Sequence, residues 1–284
     1  MKIYFIASSA EAAQSAYKSF VSLYGQTDDP ATCDVIVILG GDGFMIRTLL
    51  YALDIDKPVY GINCGHYGHL LSSNTNVEGL VKRIKESKKY IGKPFEIVAS
   101  DWQNNIKECF AINEAFVCNH LRGQLAKLSV HFSEQKTDRP PLEDFFLWAD
   151  GCIFSTPIGS SGYNFGAWGP IINAYENKIV VAPNNPWKIS GFKKYVIDPC
   201  TIHVSAEKMD YQTADLWADN NLILENIAHV KIRRSEDKSY TLLLDPETDF
   251  DRKNQELLRQ RDIDPPRNSY EYLFKFNKIE VFPH

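Results

Sequence analysis

The fold is indicated by a stretch of ten residues, DVIVILGGDG, at positions 34–43. Residues 35–39 are β-branched or leucine without polar alternation, which is typical of a parallel strand buried on both faces. After the glycine-rich end of the stretch, Met45, Leu49 and Leu53 recur at the spacing of one helix face. A buried strand, a glycine turn and an amphipathic helix in this order predict an α/β domain whose ligands bind at the carboxyl end of the strand.

The same alternation of strands and helices extends over the first hundred residues. An apolar run at 2–7 predicts a first strand, and 10–24 has helical composition. A further short strand is predicted at 58–63, and a helix at 77–90. We therefore expect a doubly wound α/β domain over residues 1–95.

The character of the sequence changes after about residue 94. Short β-like runs then follow one another at 95–100, 106–118, 124–132, 151–155, 178–182, 200–205, 214–217 and 222–234. Only 160–173 looks helical in this region, so a β-rich second domain is predicted over residues 96–248. The tail at 249–284 contains a helical stretch at 249–261, and we expect it to pack back on the first domain.

Composition limits the classes of partner. The 31 lysines and arginines against 36 aspartates and glutamates give a formal charge of −5, which supplies no general attraction to nucleic acid or to an anionic membrane. No apolar run approaches the length of a membrane span, and the first residues lack the long apolar core of a signal peptide. The six cysteines form no zinc-binding pattern. We expect them to be reduced, in a cytoplasmic protein.

The loop Gly40-Gly41-Asp42-Gly43 carries the first chemical signal. Its glycines let the backbone approach a ligand closely, and the first turn of the following helix offers N–H groups to a phosphate. An acidic residue would repel that phosphate unless it has a task of its own. Asp42 fits such a task if it accepts a proton from an attacking hydroxyl or binds the metal on the phosphates. The alternative, a tight turn with Asp42 as helix N-cap, is equally compatible with the residues.

Three further segments carry a family resemblance. One is Asn113-Glu114, the second is ADGCIFSTPIGSSGY at 149–163 with Gly169-Pro170 after it, and the third is GINCGHYG at 61–68. The strand leading into GGDG resembles the superfamily that holds NAD kinases, 6-phosphofructokinases and diacylglycerol or sphingosine kinases. The three further segments are similar to motifs of the NAD kinase family, and the similarity runs with gaps over most of the chain.

The resemblance implies roles at the first loop and the segment after it. Asp42 would act as general base on the 2′-hydroxyl of the adenosine ribose of NAD. Gly40, Gly41 and Gly43 would present backbone to phosphates, and Asn63 would lie in the nucleotide site.

It also implies roles in the second domain. Asn113 and Glu114 would bind NAD through its adenine and ribose ends, and Asp150 would contact the nicotinamide end, in this family often across a subunit boundary. Asp219 would be a second acidic residue near the reacting ribose. The remaining implied contacts are Ser155, Thr156, Gly159, Ser160, Ser161, Gly162 and Tyr163. From the residues alone, this segment offers hydroxyls and N–H donors ahead of a helix, and a serine and glycine turn with caps is the alternative.

The expected activity is that of an NAD kinase, with ATP or another triphosphate or polyphosphate as donor and a divalent cation, Mg²⁺, on the phosphates. The donor stays open because Phe44, Ile158 and Gly162 replace residues usual in the family. We also expect a homodimer or homotetramer, and no protein ligand for the metal is assigned. Two alternatives remain: a lipid or sugar kinase on the same GGDG scaffold, and a catalytically silent NAD(P)-binding sensor.

Overall fold

The computed structural model describes residues 1–121, 123–133, 142–187, 194–207, 213–246 and 250–263. The chain forms two compact units, Met1–Thr248 and Asp249–His284.

The helices are α1 (Glu11–Tyr24), α2 (Asp42–Ile55), α3 (Leu80–Glu86) and α4 (Tyr163–Gly166) in the first unit and α5 (Phe250–Ile263) in the second. The strands are β1 (Ile3–Ala7), β2 (Val35–Gly40), β3 (Val59–Asn63), β4 (Lys88–Gly92), β5 (Phe95–Asp101), β6 (Ile106–Ala111), β7 (Glu114–Asn119), β8 (Ala126–Ser133), β9 (Phe145–Ala149), β10 (Gly151–Ser155), β11 (Ile179–Asn184), β12 (Tyr195–Ile197), β13 (Thr201–Ala206), β14 (Ala214–Ala218), β15 (Asn221–Leu224), β16 (Ile227–Arg234) and β17 (Tyr240–Leu244).

The first sheet has the order β1-β2-β3-β17-β4. Strands β1, β2, β3 and β17 are parallel, and β4 runs antiparallel to β17. Every residue of β2 is buried, as its unbroken apolar run predicts. In α2, Met45, Leu49 and Leu53 are buried together, which confirms the predicted amphipathic helix.

Strand β17 joins the first sheet although its residues follow the β-rich region along the chain. It lies between β3 and β4, with Leu242 opposite Val59 on one side and Tyr90 on the other. The sequence predicted no strand there. The proposed domain limits at 95 and 248 stay predictions, as does the packing of the tail, in which the helix predicted at 249–261 is present as α5.

The β-rich region consists of two antiparallel six-stranded sheets, ordered β12-β11-β10-β7-β14-β15 and β6-β5-β16-β13-β8-β9. Their inner faces share one core. Val117 and Phe154 contribute to it from the sheet that contains β7 and β10, and Ile97 and Ile202 from the sheet that contains β5 and β13. The prediction of an α/β domain followed by a β-rich region is therefore confirmed.

The helix predicted at 160–173 is wrong in extent. A 3₁₀ turn at Ile158–Ser161 leads into α4, which has only four residues. The side-chain amide of Asn164 donates to the carbonyls of Ser160 and Pro170, so the chain wraps around this side chain instead of continuing as a helix. A loop of this kind exposes more backbone to a ligand than a helix does.

Two expectations from composition can be compared with the structure. All six cysteines are free thiols, as predicted. Among the described residues, no helix is both long and apolar enough to cross a membrane.

Candidate active site

The phosphate loop lies where strand β2 gives way to helix α2. The strand ends at Gly40, Gly41 is the N-cap residue, and the helix begins at Asp42. No side chain caps this helix, so the alternative of Asp42 as N-cap is wrong. The uncapped first turn of a helix of fourteen residues is suited to binding an anion through backbone N–H groups.

The carboxylate of Asp42 connects this loop to the next one. Its Oδ2 accepts a hydrogen bond from the backbone N–H of His69 at 2.9 Å, and its Oδ1 accepts one from Leu70 at 2.8 Å. Each oxygen keeps a further lone pair. Asp42 therefore holds the loop after β3 in place while its carboxylate, which is half-buried, stays open to a further partner.

Asn63 organises the loop that Asp42 holds. It lies opposite Gly40 in the parallel pair β2 and β3, and its Oδ1 accepts from the N–H of Gly65 at 2.9 Å. Gly68 has a positive φ of 65°, and a Cβ there would lie 2.4 Å from Asn63 Nδ2. A Cβ on Gly65 would lie 3.2 Å from the Cα of Gly41, so the two glycine loops pack backbone against backbone. The structure thus brings Asp42, Asn63 and the predicted glycines together at one sheet edge.

The second group of predicted residues surrounds the turn between β6 and β7. Asp219 follows β14 with a positive φ of 45°. Its carboxylate accepts from the backbone N–H groups of Ile112, Asn113 and Glu114 at 2.6, 2.8 and 3.2 Å. Asp219 therefore fixes the Asn113-Glu114 turn in the way that a bound anion would.

Burial changes the protonation of both acids in this group. Asp219 is 8% exposed, and burial raises its pKa to about 6 although the three backbone N–H groups act in the opposite direction. Glu114 is 5% exposed, and burial followed by the charge of Asp219 raises its pKa to about 8. A carboxyl group with that pKa is largely protonated at neutral pH, so Glu114 can donate a hydrogen bond as well as accept one.

The segment after β10 packs on the same turn. Thr156 donates from its hydroxyl to the carbonyl of Ile112 and from its N–H to the carbonyl of Asn113, both at 2.8 Å. Its hydroxyl also accepts from the N–H of Gly159. A Cβ on Gly159 would lie 2.1 Å from the carbonyl oxygen of Asn113, so only glycine fits this contact. The hydroxyl of Ser160 is likewise engaged inside the segment, where it donates to the carbonyl of Pro157.

Several buried polar atoms in this region have no hydrogen-bond partner among the described residues. They are Oδ1 of Asn113, Oε2 of Glu114, Oγ of Ser155 and Oδ1 of Asn164. Gly162 adjoins two of these side chains, because a Cβ there would lie 3.4 Å from both Asn113 Nδ2 and Glu114 Oε2. Buried polar atoms are rarely left unpaired in folded proteins, so a group of them indicates a place for a polar ligand.

A cavity of about 560 Å³ opens beside this group. Four predicted residues line it: Glu114, Asp150, Tyr163 and Asp219. The Tyr163 ring contacts Phe116 edge-on with 5.2 Å between ring centroids, and Asp150 accepts from the side-chain amide of Asn185 at 2.8 Å. The glycine loop at 40–43 is not part of the lining.

Sequence reasoning missed other residues of this cavity. Phe116 and Trp217 provide apolar walls, and His120 and Asp215 form a hydrogen-bonded pair at the rim. The two members of this pair lie 95 positions apart along the chain. Phe116 and His120 follow the recognised Asn113-Glu114 motif closely, which is the only signal the sequence offered for them.

Two protein-family models match the chain. The model of the ATP-NAD kinase N-terminal domain matches residues 5–86, and that of the C-terminal domain matches residues 121–244. The NAD kinase of Rhizobium meliloti (strain 1021) is 33% identical over 244 residues, which cover 86% of this chain and 91% of the relative. That of Cereibacter sphaeroides (strain ATCC 17029 / ATH 2.4.9) is 32% identical over 248 residues, covering 86% and 93%.

Two solved structures share the fold. The crystal structure of an NAD kinase from Archaeoglobus fulgidus in complex with ATP has a TM-score of 0.70 at 22% identity, and covers 91% of this chain and 99% of that chain. Yeast NADH kinase complexed with NADH has a TM-score of 0.73 at 16% identity, covering 91% and 87%. An α/β domain with a glycine-rich loop, followed by a β-rich region, is the fold that this chain shares with these two kinases. The chain belongs to the NAD kinase family.

Proposed function

We propose that the cavity binds NAD, that the glycine loop at 40–43 binds the phosphates of ATP, and that Asp42 is the general base. The reaction is the one of its family, phosphorylation of NAD to NADP. The acceptor is the 2′-hydroxyl of the adenosine ribose. The observation that carries the NAD site is the buried, unpartnered Oε2 of Glu114, a residue that lines the cavity, together with the unpartnered Oδ1 of the preceding Asn113.

Asn113 and Glu114 suit the hydroxyls of a ribose. The two oxygens can accept from hydroxyl groups, and protonated Glu114 can also donate to one. Asp219 holds both residues through their backbone, so their side chains are positioned before the ligand arrives. Such preorganisation favours binding because less conformational entropy is lost.

Asp42 performs the proton transfer in this proposal. As the ribose oxygen attacks the γ-phosphorus, a new P–O bond forms, the bond to the β-phosphate oxygen breaks, and ADP leaves with that electron pair. The hydroxyl proton passes to the Asp42 carboxylate. The backbone N–H groups of His69 and Leu70 keep this carboxylate oriented. Since the loop at 40–43 does not line the cavity, the ribose must extend from the cavity to the start of α2.

A divalent cation, Mg²⁺, accompanies the donor in the proposal. Among the residues that the structure describes, no group of three or more His, Cys, Asp or Glu side chains is arranged to hold a metal ion. Mg²⁺ is commonly held by substrate phosphates with one or two carboxylates, and Asp42, with a spare lone pair on each oxygen, fits that role. When bound, such an ion neutralises charge on the transferred phosphoryl group.

We also propose a cytoplasmic homodimer or homotetramer. The six free cysteines support a reducing compartment. Phe146 and Trp148 are exposed two positions apart on β9, and the backbone N–H of Trp187, a third exposed aromatic residue, donates to the carbonyl of Trp148. An exposed aromatic group of this kind supports a contact with a second copy.

The test is a turnover assay on the purified chain with NAD or NADH as acceptor and with ATP-Mg²⁺ or polyphosphate as donor. We expect NADP to form from NAD and ATP, with the new phosphate at the 2′ position by ³¹P NMR. An NAD analogue that lacks the 2′-hydroxyl is the matched control and should bind without being phosphorylated. Binding of NAD without any turnover would instead indicate a silent sensor.

A further inference from the structure

A histidine and an aspartate at the rim of the cavity have no part in the chemistry described above. His120 follows β7, and Asp215 lies on β14, the neighbouring strand. The backbone N–H of His120 donates to the carbonyl of Thr213, which fixes the histidine at the end of this strand pair. Both residues line the cavity.

The pair is built around a buried carboxylate. The side chain of Asp215 is only 7% exposed, and both of its oxygens are occupied. Oδ2 lies 2.7 Å from Nδ1 of His120, and Oδ1 accepts from the N–H of Asn226 at 3.0 Å. Because a carboxylate accepts, Nδ1 of His120 carries a proton toward it, and Nε2 remains for another partner. The His120 side chain is 38% exposed, so that second nitrogen is within reach of a ligand.

The charged side chains that line the cavity determine which ligand group His120 can bind. Four carboxyl groups line it, from Glu114, Asp150, Asp215 and Asp219. Among the described lining residues, His120 is the only side chain that can carry a positive charge. A dinucleotide brings a pyrophosphate with negative charges of its own, which the ionised members of this group disfavour. A cation at the rim offsets this repulsion and supplies a charge-assisted hydrogen bond.

We propose that His120 binds a phosphate group of the dinucleotide through Nε2 and that Asp215 is the positioning residue that orients its ring. This inference rests on the proposed function, because it requires NAD in the cavity. The bond would join an imidazolium N–H to a pyrophosphate oxygen. It would contribute to binding before and after phosphoryl transfer alike, so it would affect KM and leave kcat nearly unchanged.

The neighbours of His120 favour its charged form. The hydrogen bond and charge of Asp215, followed by the charge of Glu225, raise the pKa of His120 above its ordinary value, while partial burial acts against them. Asp150 and Cys118 are further titratable groups in the lining of the same cavity. A histidine with a raised pKa is protonated below that pKa and loses its charge as the pH rises through it. Affinity for the pyrophosphate should therefore fall on the alkaline side.

The variant that tests the inference is His120→Gln, and the chain offers a matched control. His131 on β8 also pairs through Nδ1 with a carboxylate, Asp144, at 2.6 Å, and its side chain is 56% exposed. It does not line the cavity. His131→Gln therefore removes a histidine of the same geometry without touching the proposed phosphate site. Melting temperatures of both variants establish that each one folds.

The measurements are KM and kcat for NAD between pH 6 and 9, and calorimetric binding of ADP-ribose and of adenosine. For His120→Gln we expect KM to rise about tenfold at pH 6 with kcat within about twofold, and the alkaline rise in KM to disappear. ADP-ribose, which keeps the pyrophosphate, should bind more weakly, and adenosine should bind as before. Asp215→Asn should weaken ADP-ribose binding less than His120→Gln does, and His131→Gln should match the wild type.

Two results would overturn the inference. One is an unchanged KM profile in His120→Gln, and the other is an equal loss of ADP-ribose and adenosine binding, which would mean that His120 only supports the fold of the cavity. A failure of the proposed function would give a different experimental result. If Glu114→Ala and Asp219→Asn leave NAD affinity unchanged, the cavity is not the NAD site. NAD binding that depends on Glu114 but not on His120 contradicts the further inference alone.

Discussion

Two aspartates, Asp42 and Asp219, hold loops by the same device in different surroundings. Asp42 begins α2 and accepts N–H groups from His69 and Leu70 in the loop after β3. Asp219 follows β14 and accepts three N–H groups from the turn at 112–114. Asp42 is half-buried, whereas Asp219 is buried. The same side chain can therefore serve as reagent in one loop and as support in the other.

The difference revises the role implied for Asp219. The family resemblance placed it near the reacting ribose, and it does line the cavity. Its three backbone contacts, however, make it the residue that positions Asn113 and Glu114. Asp42 has fewer contacts and a more accessible carboxylate, which supports its proposed role as the general base.

The largest expected effect separates these two carboxylates. Asp42→Asn should lower kcat by about 10²- to 10⁴-fold, the usual contribution of a general base, with the dissociation constant for NAD changed little. Asp219→Asn should instead raise that dissociation constant about tenfold, because its amide cannot accept as many N–H groups and the turn at 112–114 loosens. Single-turnover kinetics and NAD titration measure both effects. Near-normal turnover in Asp42→Asn would remove Asp42 as the base.

A second pair of variants compares the steric space for a Cβ at two glycines, one in the 155–163 segment and one in the loop at 40–43. Gly159→Ala places a Cβ 2.1 Å from the carbonyl oxygen of Asn113, and overpacking of this kind costs about 1–3 kcal/mol. Gly43→Ala meets no atom within 4 Å and lies in α2, where alanine is favoured over glycine by about 1 kcal/mol. Urea unfolding should therefore show a loss for the first variant and a small gain for the second. Equal stabilities would mean that the 155–163 segment does not pack on Asn113 as described.

The smallest effect, taken per pH unit, concerns the acid that Asp219 positions. The pKa of Glu114 is raised by burial from 4.5 to about 8, so the folded protein holds a proton that the unfolded chain loses. The unfolding free energy should fall as the pH rises between these values, and Glu114→Gln should reduce that fall. We expect the variant to gain about 1.4 kcal/mol relative to wild type for each unit of rising pH between pH 5 and pH 8, or about 3–6 °C in Tm for each unit.

The matched control for this experiment is Glu108→Gln on β6, where the side chain is exposed. It should leave the pH dependence of Tm unchanged. If wild type and Glu114→Gln lose stability in parallel from pH 5 to pH 8, Glu114 is ionised in the folded protein, and its proposed role as a hydrogen-bond donor fails.

Most of what the sequence could predict came from local patterns. The strand, glycine loop and helix from 34 to 55 are contiguous, and burial periodicity alone places them. The motif around Asn113-Glu114 identified the second group of site residues, although their roles as ligand contacts stay predictions. Free cysteines also followed from the absence of paired spacing.

The features that the sequence did not predict depend on contacts between residues that lie apart along the chain. Helical composition at 160–173 gave no sign that Asn164 would bond the carbonyls of Ser160 and Pro170 and end the helix. The pair of His120 and Asp215 exists only because β7 and β14 are neighbours in a sheet. Strand pairing of this kind cannot be predicted from local hydrophobic periodicity.

Strand β17 has a consequence for how the chain is made. Among the strands that the structure describes, β4 pairs with β17 alone in the first sheet, and β17 is formed by residues 240–244. A ribosome therefore releases the whole β-rich region before the strand that completes the first sheet. Pairing across so long a sequence separation is slow to form. Until it does, β4 and the far edge of β3 are open strand edges, and the nascent protein is most exposed to aggregation at the domain that was synthesised first.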